Sequence, residues 1–135
     1  MKHMKSIIAL LAMTLVSTFA YANQQGQVPV EKEQYLNFND VYIQKDRGIV
    51  EPAELLVVGM FPNGCYKWLG AEVKHIDDFT HEVRGLAKVQ QGMCTMMLVS
   101  FTKEVDLGIL KEGQHKARVI NADGTIFEKE FTKTR

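Results

Sequence analysis

From residue 35 onward the chain reads as short runs of β-branched and aromatic residues broken by turn signals. Residues 35–43 alternate loosely between apolar and polar. Residues 54–61 (ELLVVGMF) form an apolar run ended by Pro62-Asn63-Gly64, a strong turn. Residues 66–76 carry Trp68, Leu69, Val73 and Ile76, and Asp77-Asp78 makes the next turn. Residues 80–89 hold Val83, Leu86 and Val89, with Gly85 expected as a bulge. Gln90-Gln91-Gly92 turns again. Residues 94–101 (CTMMLVSF) are apolar on both faces, as an interior strand would be. Further on, His115, Ala117 and Val119 alternate with Gln114, Lys116 and Arg118. Asn121-Ala122-Asp123-Gly124 forms a hairpin loop. In residues 125–132, Phe127 and Phe131 share one face while Glu128 and Glu130 share the other. About seven strands at a spacing of about 8 to 14 residues predict an all-β, antiparallel β-sandwich over residues 35–135. No segment sustains a helical period.

The start of the chain has a different pattern. Lys2, His3 and Lys5 form a basic head, and residues 6–19 are an uncharged, largely apolar stretch. That stretch is in the range of a secretory leader and is short for a membrane span. Ala20-Tyr21-Ala22 supplies small residues for cleavage after Ala22. Residues 1–22 are therefore expected to be a signal peptide, with no stable membrane insertion once it is removed. Residues 23–34 are polar and Gln-rich and read as a flexible lead-in. The expected location is periplasmic or secreted, in a bacterial envelope.

Composition narrows the function. The chain balances 16 basic against 16 acidic side chains, so it lacks the excess positive charge that nucleic-acid binding uses. Cys65 and Cys94 are the only cysteines, and both lie beyond the leader. In an oxidising compartment an even pair is most simply a disulfide. It closes a loop of about 30 residues, which chain entropy values at roughly 3.5 kcal/mol. There is no CxxC spacing to suggest redox chemistry.

One segment, VDLGILKEGQHKARV at residues 105–119, resembles a pattern found in immunoglobulin-like sandwiches. In that pattern a leucine-bearing strand meets a corner, then a glycine, then a tyrosine whose hydroxyl bonds back to upstream backbone. Here Gly113 supplies the sharp approach. His115 stands where the tyrosine would be, and its imidazole can replace that bond in part. The stretch from FPNGCY at residue 61 through Cys94 to Gly113 is also similar to small secreted bacterial domains of this class. The cysteines depart from the usual inter-sheet pair. The resemblance implies a fold and no activity.

Catalytic groups are scarce. Ser100 is the one serine beyond the leader, and it has no GxSxG setting. A cysteine nucleophile would need a reduced thiol beside a histidine. No GxGxxG or P-loop occurs. The most promising polar cluster is His75, Asp77 and His81. If Asp77-Asp78 is a hairpin tip, the two imidazoles meet across it and with the carboxylate offer a Zn²⁺ or Cu²⁺ site. The alternative is an ordinary solvated turn. Met93, Met96 and Met97 flank Cys94 and invite a Cu(I) reading, but on a buried strand methionine is gap filler. Phe61, Tyr66 and Trp68 surround the 62–64 turn, either as a recognition surface or as core.

The chain is thus expected to be a non-catalytic exported protein with no cofactor. It would recognise an envelope protein or peptide through edge strands or end loops. Two alternatives stand beside this. One is a metal-binding protein using His75, Asp77 and His81. The other is an inhibitor of an exported hydrolase, presenting the loop at residues 61–66.

Overall fold

A computed structural model of the chain describes residues 30–135. The expected signal peptide at residues 1–22, and residues 23–29 of the expected lead-in, lie outside the described residues. Eight strands follow in order: β1 (Glu31–Tyr35), β2 (Asp40–Ile43), β3 (Ala53–Phe61), β4 (Tyr66–His75), β5 (Thr80–Gln90), β6 (Val99–Gly108), β7 (Gly113–Ile120) and β8 (Ile126–Lys133). They build two facing sheets. One holds β4, β5, β7, β8 and β1, the other β2, β3 and β6. The all-β sandwich expected from the alternation is the fold observed. Among the described residues no helix is long and apolar enough to cross a membrane.

Alternation explains how the sheets meet. β3 points Ala53, Leu55, Val57 and Phe61 inward, and β7 points His115, Ala117 and Val119 inward. A period of two puts each set on a single face. The apolar members of these sets form one continuous core with Val83, Ala87, Phe101, Val105 and Leu107.

The pairing is not antiparallel throughout, since β5 and β7 run parallel, and three further details differ from the sequence reading. Residues 31–34 were expected to be flexible, yet they pair with β5, Glu31 opposite Gln90 and Tyr35 opposite Leu86. All five β1 side chains are exposed, so no apolar pattern announces the strand. Gly85 is not a bulge. It pairs in register with Ala71, while the irregularity in β4 falls between Trp68 and Gly70. Gly85 instead makes room for a ring, since a Cβ there would lie 2.3 Å from Cζ of Phe38. Finally, residues 94–98 are not an interior strand. They are irregular and largely exposed, and the ladder of β6 to β3 starts only at Val99, opposite Phe61. The partner strand ends there, so the apolar residues before Val99 have nothing to pair with.

Candidate functional site

The disulfide joins Cys65 and Cys94, with their Cα atoms 5.2 Å apart. Cys65 lies in the connection from β3 to β4 and Cys94 in the connection from β5 to β6. Both connections pass from one sheet to the other, so the bridge pins two crossings together at one end of the sandwich. A backbone bond from Gly64 N to Thr95 O, at 2.9 Å, ties the same two loops.

The aromatics near this bridge point inward. Phe61 is buried, and Tyr66 and Trp68 are half-buried against the core. Phe61 stacks on Phe101 at 4.4 Å between centroids and on Tyr66 at 6.0 Å, while Trp68 packs on Phe101 at 5.9 Å. These three residues therefore serve as core in this fold and not as an exposed recognition surface. What the bridge does display is the segment after it. Met93, Met96, Met97 and Leu98 are all well exposed, as are Val99 and, on the neighbouring strand, Met60. The methionines expected as buried gap fillers are the outward-facing apolar residues at this end.

At the opposite end the polar residues converge. His75 ends β4 and His81 is the second residue of β5, and the hairpin sets them directly opposite each other, as the Asp77-Asp78 tip predicts. Their Nδ1 atoms are 2.6 Å apart. Alternation along β5 turns His81 into the core, where it is only 1% exposed. Parallel pairing of β5 with β7 then brings in His115, also 1% exposed, with His81 Nε2 and His115 Nδ1 2.9 Å apart. His115 Nε2 in turn lies 2.7 Å from the carbonyl oxygen of Lys111. This is the bond back to upstream backbone that the corner pattern requires, made by an imidazole. Every histidine beyond His3 thus belongs to one chain of hydrogen bonds.

That chain has a fixed direction. A carbonyl only accepts, so His115 must carry its proton on Nε2. A neutral His115 then accepts at Nδ1, which requires His81 to donate from Nε2. His81 accepts at Nδ1, and His75 must donate from its own Nδ1. One backbone carbonyl sets the tautomers of all three rings. A second proton on His81 would have to sit on Nδ1, facing the proton of His75. Burial, and then the neighbouring His75 and His115, push the pKa of His81 down to about 4, against a partial pull upward from Asp77. The buried ring is therefore neutral near pH 7. Phe131 stacks on His115 at 5.4 Å and Phe79 lies 5.0 Å from it, which closes the inner end of the chain.

The residues expected to hold metal take a different arrangement. The facing nitrogens of His75 and His81 are committed to each other at hydrogen-bond distance. Asp77 accepts the backbone N–H of Phe79 at 2.8 Å, and that bond holds its carboxyl below the ordinary range. Among the described residues no three His, Cys, Asp or Glu side chains are grouped to hold an ion. His115, the third member of the chain, was not connected to the other two from sequence. Its inward phase in β7 was legible, but the parallel pairing that delivers it to His81 was not.

The family model of the ORF11 beta-sandwich domain matches residues 55–133, more than half of the chain. The chain belongs to this family. Comparison with curated proteins and with solved structures returned no match. The ORF11 beta-sandwich region runs from Leu55 in β3 to Lys133 at the end of β8. It therefore contains both cysteines and all three histidines of the chain just described.

Proposed function

We propose that this ORF11 beta-sandwich protein is an exported, non-catalytic binding protein that recognises a protein or peptide of the cell envelope. The leader pattern at residues 2–22 and the paired cysteines support export, since disulfides persist in oxidising compartments. The observation that carries the binding reading is the exposed group Met93, Met96, Met97 and Leu98, held beside the Cys65–Cys94 bridge. Adjacent exposed apolar side chains on a tethered loop favour a partner surface over solvent. Methionine adapts its shape to such surfaces. Next to this loop β6 leaves one edge without a strand partner among the described residues, which supports strand addition as a second contact. Inhibition of an exported hydrolase is the alternative reading, and for it the exposed Pro62 and Gly64 at the tip of the 61–66 loop are the residues that could enter an enzyme.

The test is capture from an envelope extract by the wild-type chain and by a Met96→Glu/Leu98→Glu double variant. Both positions are exposed, so the variant keeps the core and the bridge. The expected result is a protein retained by the wild type and lost from the variant. Identical capture profiles would count against the proposal.

A further inference from the structure

Lys133 is the most unusual residue of the fold, a lysine at the last position of β8 that is only 2% exposed. Strand parity explains why it points inward, because it shares the phase of Phe127 and Phe131. A buried ammonium needs partners, since taking it out of water costs about as much as a good ion pair returns. Its Nζ lies 3.0 Å from Oδ1 of Asp46 and 3.2 Å from the carbonyl oxygen of Glu51, both in the loop between β2 and β3. An ammonium has three protons, so two acceptors leave one donor over.

Lys133 is one of the residues lining a cavity of about 220 Å³, bounded by β2, the loop after it, the start of β3, the end of β6 and the end of β8. Its apolar wall is made by Ile43, Leu55, Leu107 and Phe131. The two carboxylates on its lining are already committed. Asp46 accepts from Thr134 N and Oγ1, from Gly48 N and from Lys133, and these donors hold its carboxyl well below the usual range. Glu54 is paired with Arg47 at 3.1 Å. Lys45, also on the lining, is exposed and has no ion-pair partner among the described residues. The polar side of the cavity therefore offers spare positive charge and a spare buried donor, but no free carboxylate.

We infer that this cavity is a binding site for a small organic monocarboxylate with a compact apolar body. The carboxylate would accept from Lys133 Nζ, with Lys45 at the rim, and the apolar body would lie against Ile43, Leu55, Leu107 and Phe131. A cavity of about 150 Å³ suffices for benzene, so this one takes roughly nine heavy atoms. Benzoate and hexanoate fit that limit. The site lies at the other end of β3 and β6 from the methionine loop, so it is separate from the proposed partner surface.

The test is an amide NMR titration of the oxidised protein with benzoate, hexanoate and benzyl alcohol. The expected result is saturable shifts at Leu55, Phe131 and Lys133 with both carboxylates, and roughly tenfold weaker binding of the alcohol, which lacks the charge-assisted bond. An Ile43→Trp variant, which fills the cavity without touching the ion pair, should lose the shifts while staying folded. Lys133→Met should abolish the preference for carboxylate over alcohol. If that variant does not fold, the alcohol control and Ile43→Trp decide the matter. No saturable shift at millimolar carboxylate overturns the inference. So does equal binding of alcohol and carboxylate, or binding unaffected by Ile43→Trp.

Discussion

The two ends of the sandwich are held together by different chemistry. At one end a covalent bond joins the β3–β4 and β5–β6 crossings, and the residues next to it are left apolar and exposed. At the other end no disulfide is present among the described residues. The β4–β5 hairpin is tied to the β6–β7 crossing through three imidazoles and a backbone carbonyl, and the β2–β3 loop is tied to β8 through Lys133 and Asp46. A disulfide holds its loops whatever the pH, and it needs no burial of polar groups. The imidazole chain holds only while its protons are in order. Its stability is therefore conditional on pH, whereas the covalent tie at the bridged end is conditional on redox state.

The largest expected effect comes from cutting the bridge. Its two cysteines are 29 residues apart, and loop entropy in the unfolded chain sets its worth at about 3.5 kcal/mol. A Cys65→Ala/Cys94→Ala variant should lose about that much in urea denaturation, independently of pH between 5 and 8. A loss under about 1 kcal/mol would mean that the Gly64–Thr95 bond and the aromatic cluster close this end without sulfur.

Acid should act on the other end. A histidine in the unfolded chain takes its proton near pH 6.5, whereas His81 in the fold does so near pH 4. Between these values the unfolded chain binds more protons, so stability rises with pH across that window. It is complete above about pH 6.5 and is lost as pH falls toward 4. The loss should be on the order of 2–3 kcal/mol, given the depth of burial. Denaturation curves at pH 7, 6, 5 and 4.5 should show it, and a His81→Leu variant should remove the slope. A wild-type chain equally stable at pH 7 and 4.5 would refute the neutral chain. Nitrogen chemical shifts supply an independent check: protons should sit on Nε2 of His81 and His115 and on Nδ1 of His75.

How much of this was legible beforehand depends on the range of the interaction. Strand parity is local, so the inward phase of β7 and β8 could be read directly, whereas the unbroken apolar run of β3 concealed which of its side chains face the core. The His75–His81 pairing followed from a short hairpin, and the cysteine pairing from their number and setting. Lys133 had the phase of Phe131 in plain view, yet a lysine near a chain end reads as solvated unless its acceptors are known. Asp46 and Glu51 lie more than 80 residues away, and only the fold brings them near. The segment at residues 94–98 misled for a related reason. Its composition is that of a buried strand, but burial needs a partner strand, and β3 ends before reaching it. The parallel pairing of β5 with β7 leaves no local mark, so the third histidine stayed hidden.

The smallest expected effect separates backbone from side chain at the polar end. Lys111 takes part twice. Its Nζ bonds Asp78 Oδ2 at 2.6 Å, and its carbonyl oxygen accepts from His115. The ion pair is exposed on both sides, and such pairs contribute at most about 1 kcal/mol. The carbonyl, by contrast, fixes the direction of the imidazole chain, and it survives any side-chain substitution. Lys111→Met should therefore shift the denaturation midpoint little at pH 7 and leave the acid slope unchanged, while raised salt should barely affect the wild type. An altered acid slope in Lys111→Met would assign the control of His115 to the ammonium and not to the carbonyl. In that case the proton order derived for the three rings would lose its anchor.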